Sequence, residues 1–460
     1  MKKSRPGRLA VTTLSLATLS VSPVFSQDQT GIRATLSFDQ SLEISDNPGL
    51  TSPASDTEYT SRTSLGFGLS SETRSEQFRF NVGADLRGAF GSSTTSDDDF
   101  DIRNHDIGVN YARQGANSEL TLSGRYRNFD FDDEVFGFFI DGQFDPDALV
   151  IDGGRRKITN YSFGYEFGME GPFGAEFTAR STKDEFENTT DPDLVSSDRT
   201  SFDAAANFRI DPAMTVRATA GTNRRDEEDA TETSRRNQYF GLGVRGEMAN
   251  GLAYSGQITI DDSETYELGA LTSSEDGVGV ELDVTQGRPD GSIGVGMSSR
   301  VDESGRRTTA DVTRKYDLTD GQLSLSLGVV EQESEDLDFT AEIGYVRQLS
   351  DSRLSANFTQ KASTRDGAGL LNTSLQLNYR KEINAISSWD AGLSYGSSAV
   401  FGDSSGDALT SASLGYTRQL NDDWDFRTGL ETIRVDQSGS PDRSENSVFF
   451  SVGRDFSFGF

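Results

Sequence analysis

FTAEIGYVRQL, residues 339–349, sorts its side chains into two sets at every second position. Phe339, Ala341, Ile343, Tyr345, Arg347 and Leu349 fall on one side, and Thr340, Glu342, Gly344, Val346 and Gln348 on the other. A period of two held over this length predicts a β-strand with one apolar and one polar face. Residues 371–383 repeat the arrangement: Leu371, Thr373, Leu375, Leu377 and Tyr379 stand against Asn372, Ser374, Gln376, Asn378 and Arg380.

The alternation recurs in both directions along the chain, as in Ile32, Ala34, Leu36 and Phe38, or Val278, Val280, Leu282 and Val284. Turn formers cut it at tight links such as Thr73–Ser75, Glu170–Gly174, Asp211–Met214 and Ser350–Arg353. Longer polar links, Ser45–Glu58, Ser92–Asp101, Asp132–Gly154 and Asp226–Ser234, fall between them. Short links on one rim and longer ones on the other predict an all-β fold, a transmembrane antiparallel up-and-down β-barrel. The reading gives about 22 strands, with 18 to 22 admissible. The short turns belong on the periplasmic side and the longer loops outside.

Composition narrows the class further. Only 33% of the residues are hydrophobic, 47 are Gly, none is Cys, and the net charge is -31. A surface this acidic disfavours nucleic acid as a partner, and without Cys there is neither a disulfide nor thiolate chemistry. Lys2, Lys3, Arg5 and Arg8 precede an uncharged stretch from Leu9 to Ser22, and Val24-Phe25-Ser26 offers a cleavage site. Residues 1–26 therefore read as a cleavable secretory leader and 27–460 as the barrel.

The chain ends SVFFSVGRDFSFGF, residues 447–460, with Phe456, Phe458 and Phe460 on one parity. This ending resembles the C-terminal signature of Gram-negative outer-membrane β-barrel proteins. The resemblance implies that the barrel-assembly machinery reads Phe456, Phe458 and Phe460, although Arg454 stands where an apolar residue is usual. In general style the chain looks most like the poorly characterised β-barrel porins, some of them associated with exopolysaccharide systems. Outer-membrane lipid and lipopolysaccharide are then its surroundings.

GYVRQLSD (344–351) and GYTRQLND (415–422) form a weak internal repeat. Tyr345, Arg347, Tyr379, Lys381, Tyr416 and Arg418 form an expected interfacial girdle on the lipid-facing parity, the cations snorkelling to headgroup phosphates. Plain solvated cations beside turns are the alternative. On the opposite parity Arg79, Arg87, Arg125, Arg127, Arg217, Arg245, Arg380 and Arg427 face the lumen with Glu166, Glu342 and Glu382. Pairing of these charges is favoured over an unpaired selectivity ladder. The long link 132–154 carries Phe136, Phe138, Phe139 and Phe144 and is expected to fold inward as a constriction.

Catalysis is not expected. The single histidine, His105, precedes Asp106, and neighbours on a strand point to opposite faces. The acidic runs lack calcium-loop spacing, so no metal or cofactor is assigned. A round barrel of 22 strands is roughly 44 Å across, a size usually plugged. Flattening, filling by loops and Arg side chains, a separate plug or secretion partner, or fewer strands would each resolve this. The leading function is a water-filled pore or export conduit for small solutes or polysaccharide. The alternative is a non-transporting structural or adhesive barrel.

Overall fold

The computed structural model describes residues 31–459 apart from 56, 91–100, 131–138, 141–142, 145–153, 170, 191–193, 334, 336, 366–367, 402–405 and 438–440. The leader 1–26, Phe136, Phe138 and Phe460 lie outside the described residues. Strands are numbered β1 to β24 in chain order. Of these, β6 (Phe139–Ile140) and β7 (Gln143–Phe144) pair only with each other, within the link expected to constrict the lumen.

The remaining 22 strands form one antiparallel sheet. It closes because β1 (Gly31–Ser45) pairs with β24 (Arg443–Gly459), from Arg33 opposite Gly459 to Ser45 opposite Ser447. Closure leaves no strand edge along this seam, which an apolar surrounding requires. The outward parity carries large apolar side chains with open surfaces: Ile258 is 60% exposed, Ile260 65% and Leu327 65%. In water such a belt would be unfavourable by about 25 cal/mol per Å²; in lipid it is matched. Phe456 and Phe458 stand in it opposite Leu36 and Ala34.

Towards the rim away from the short turns the pattern inverts. On β23 (Trp424–Asp436), Phe426 and Leu430 share the outward parity, whereas Ile433 and Val435 face inward, 4% and 1% exposed. Leu409 on β22 (Asp407–Gln419), opposite Val435, is buried in the same way. So are Val330 on β17 (Gly321–Gln332), Ile158 on β8 (Arg155–Phe167) and Phe129 on β5 (Ser118–Asp130). A strand of 13 residues, tilted about 40°, rises about 33 Å, beyond an apolar band of about 25 Å. Past the band the outer surface meets water, so apolar side chains turn to the interior. Inward apolar side chains such as Leu409, Ile433 and Val435 thus pack against the wall of the ring in this upper section.

The expectation of long links on that rim is only partly met. β13 (Leu252–Glu267) and β14 (Ala270–Arg288) are joined by Leu268 and Gly269, with φ of 48° and 76°. Two positive φ values are what a tight hairpin turn needs to match strand twist. β15 (Gly291–Asp302) and β16 (Gly305–Leu318) are joined by Glu303 and Ser304 alone. In the first of these hairpins longer strands, of 16 and 19 residues, replace the loop.

Candidate functional site

Among the described residues, charged side chains from many strands converge in the lumen. β2 (Glu58–Glu72) and β3 (Glu76–Phe90) bring Glu58 to Arg87 at 3.2 Å and Arg62 to Asp85 at 3.5 Å. β4 (Asp101–Gln114) presents Asp106 to Arg125 at 2.7 Å and to Arg127 at 3.9 Å. On β9 (Phe173–Glu187), Glu176 binds Arg217 at 2.7 Å and Arg245 at 3.4 Å. Glu342 of β18 (Asp338–Gln348) meets Lys361 of β19 (Ser352–Arg365) at 3.0 Å. Arg380 of β20 (Ala368–Asn384) donates to Ser388 Oγ at 3.4 Å and lies opposite Asp390. Arg427 lies between Thr417 and Ser451, and Arg79 between Ser70 and Asn110; neither makes an ion pair among the described residues. Glu166 stands in a row with Glu119 and Glu176, and Glu382 lies opposite Ser388. Asp106 is thus held by lumenal arginines, while its neighbour His105 lies opposite Asn128.

Among the described residues an inward-folding segment lies at the β15–β16 hairpin; most of the link 132–154 is outside them. β14 pairs with β15 only from Val280 opposite Ser299 to Arg288 opposite Gly291, so along Ala270–Gly279 its ladder runs to β13 alone. Released from β14, the β15–β16 tip bends across the lumenal face of β13 and β14. Val301 N donates to Asp261 Oδ2 at 3.4 Å, Arg306 Nη1 to the Val278 carbonyl at 3.0 Å, and Arg306 N to Glu333 Oε2 at 2.8 Å. Gln332 Nε2 donates to the Ser304 carbonyl at 2.8 Å. Gly277 makes the approach possible: a Cβ there would meet Val301 Cγ2 at 2.8 Å and Arg306 Nη2 at 2.7 Å.

At the tip, burial holds the Glu303 carboxyl above the usual carboxylate range, while Arg235 and Asn237 of β12 (Ser234–Glu247) oppose that shift. Between this tip and the wall lies a recess of about 980 Å³. One side is lined by Arg199 of β10 (Ser197–Asp211), Arg225 of β11 (Met214–Glu227) and Arg235; the other by β16 to β19. The signal missed in the sequence was strand length, since 19 residues in β14 are set against 12 in β15.

A second inward element is the start of the link after β1. Asn47 Oδ1 accepts from Thr51 N (3.2 Å), Thr51 Oγ1 (3.1 Å), Ser55 N (3.0 Å) and Ser55 Oγ (3.1 Å). Its Nδ2 donates to the carbonyls of Thr51 (3.1 Å) and Ser444 (3.0 Å). Beside it Ser45 Oγ donates to Glu445 Oε1 at 2.5 Å, and Asn446 Nδ2 to Asp46 Oδ2 at 2.8 Å. Side chains thereby continue the β1–β24 seam past its last backbone pair. Asn47 and Leu50 are both 2% exposed.

The girdle cations bind turns. Arg347 lies 3.9 Å from Asp320, Lys381 3.7 Å from Asp351 and Arg454 2.9 Å from Asp423. Arg314–Asp290 (2.7 Å) and Arg113–Glu76 (3.4 Å) follow the same rule, each joining a strand to the turn of the hairpin before it. The turn beside Arg418 reads Asn384-Ala385-Ile386 and has no acid; Arg418 makes no ion pair among the described residues. Tyr379 packs edge-on to Trp389 with centroids 5.0 Å apart, and Tyr416 Oη donates to Ser387 Oγ at 3.2 Å. Tyr345 lies opposite Leu323 and Ala356.

No family model matches the sequence, and no curated protein matches it. Solved structures do match its shape. The ferric-catecholate import receptor Fiu from E. coli K12, in its open form, is 12% identical with a TM-score of 0.55, over 94% of this chain and 82% of that one. The FrpB iron transporter from Neisseria meningitidis, as apoprotein, is 8% identical with a TM-score of 0.60, over 93% and 81%. The siderophore receptor PirA from Acinetobacter baumannii is 10% identical with a TM-score of 0.54, over 94% and 81%. At these identities the likeness is one of fold, a closed 22-strand barrel of the kind found in outer-membrane receptors.

Proposed function

We propose that this chain is an outer-membrane transport barrel that passes polar solutes through its lumen. The observation that carries the reading is a closed 22-strand sheet with an apolar outer belt and an interior of paired ions and hydroxyls. A polar interior has no use in a purely structural cylinder, where apolar filling would pack better. The likeness in fold to an iron transporter and to siderophore receptors supports passage of a solute over adhesion.

In this reading residues 1–26 direct export and are removed, and Phe456, Phe458 and Phe460 present the ending to the barrel-assembly machinery. The short-turn rim faces the periplasm. The β15–β16 tip and the Asn47 loop narrow the path, together with the expected inward fold of the Phe136–Phe144 link. Lumenal arginines such as Arg125 and Arg217 shape the field along the path while their acidic partners hold them in place. Lipopolysaccharide meets the outer rim, and a separate plug or secretion partner, where one binds, does so in the lumen.

Single-channel recording of the purified chain in planar bilayers tests the proposal. Stable ionic steps are expected, larger when residues 300–307 are shortened to a two-residue link. A chain that is correctly folded by circular dichroism yet electrically silent in both forms overturns the transport reading and leaves the structural one.

A further inference from the structure

We propose that the recess beside the β15–β16 tip binds an acidic saccharide, a hydroxyl-rich chain bearing carboxylates. The inference deepens the transport reading by naming a solute class, and it rests on the chemistry of the recess walls.

In a chain of net charge -31, this recess is lined by six cationic side chains against four carboxylates. Most of the cations are engaged. Arg225 and Arg235 share Glu227, Arg307 holds Asp302, and Lys361 holds Glu342. Two are not: among the described residues Arg199 and Lys315 make no ion pair, and Arg199 Nε donates only to Asn223 Oδ1 at 3.1 Å. They line the same recess from opposite walls. A ligand with carboxylates would meet charge-assisted donors at both.

Charge alone does not describe the site. Among the described residues Asn237 Oδ1 is a buried acceptor without a partner, in the same lining. Sulfate brings only acceptors and leaves it unmet, whereas a sugar hydroxyl brings a donor. Asn223, Thr340 and Gln360 line the same recess with further amide and hydroxyl groups. The volume of about 980 Å³ lies at the upper end of small-molecule sites, enough for several sugar units. Carboxylates for Arg199 and Lys315, together with hydroxyls for the amides, are what a uronic acid oligomer carries.

The test is titration calorimetry of the full barrel in micelles with trigalacturonate, maltotriose and inorganic phosphate, in parallel with conductance block in bilayers. Trigalacturonate is expected to bind and to interrupt the current, with maltotriose and phosphate at least tenfold weaker. Arg199→Gln is expected to weaken trigalacturonate binding tenfold or more, as loss of a hydrogen bond to a charged group does. Should that variant not fold, Lys315→Gln takes its place. Conductance with no trigalacturonate binding overturns the saccharide site and leaves transport standing. Binding without conductance does the reverse, and equal binding of phosphate reduces the recess to a simple anion site and overturns the proposal.

Discussion

Replacing Asn47 by Ala removes the hub that holds the link after β1 against the seam. Its six hydrogen bonds all go to exposed residues, Thr51, Ser55 and Ser444, whose groups turn to water when the link opens. The bonds from Thr51 N and Ser55 N, which fix the backbone of the link, and the bond to the Ser444 carbonyl, which ties it to β24, carry the net loss. At about 1 kcal/mol each, the three lower the local opening free energy by about 3 kcal/mol, roughly a hundredfold in the open population. Asn47→Asp keeps the acceptor and loses only the two amide donors, so its effect is expected to be about tenfold. Hydrogen exchange of the barrel in nanodiscs, read on a peptide covering residues 48–55, measures both. A peptide from β18 serves as the unaffected control. If Asn47→Ala leaves exchange of 48–55 within about twofold of the parent, the hub does not hold the link.

Three further outcomes follow from the same geometry. Arg156→Ala strips the buried partner from Asp184, now bonded at 2.9 Å and 2.5 Å with 5% and 16% side-chain exposure. Unfolding by urea in detergent should then show a loss of about 3–5 kcal/mol, largely recovered when Arg156→Met is combined with Asp184→Leu. The hydrogen bond from Arg314 holds the Asp290 carboxyl below the usual range. A depressed acid stabilises above its unfolded value and loses that contribution as pH falls through the folded one. The parent should therefore exceed Asp290→Asn in stability near neutrality, and the gap should vanish in strong acid and shrink in salt. Finally, Phe458→Ala combined with removal of Phe460 should lower the heat-modifiable, folded fraction in cells while leaving refolding of purified chain into micelles intact.

The strand count and closure could be read from the sequence because a period of two survives wherever one face meets lipid. Phe339 to Leu349 shows this without any neighbour. The inverted top was also written there, in the switch from Leu430 to Ile433 and in the doublets Val329-Val330 and Phe449-Phe450. It went unread because a lipid-centred pattern treats an inward apolar residue as noise. The folded tip was harder. Val301 keeps the parity of Val295 and Met297, and only the unequal lengths of β14 and β15 reveal that the ladder between them ends at Val280 and Ser299. The girdle was assigned from parity, but the destination of its cations depends on which acids the adjacent turns carry.

Those turn-bound cations have a mechanical meaning. Each of Arg113, Arg314, Arg347, Lys381 and Arg454 rivets one hairpin to the next at the same rim. A single exposed contact of this kind contributes about 0–1 kcal/mol. Three of them, at Arg314, Arg347 and Lys381, follow one another from β14 to β20, so the hairpins of that arc resist relative sliding together rather than singly. The stiffened arc lies at the opposite end of its strands from the bent β15–β16 tip, so the tip is expected to be the freer end of the hairpin that carries it.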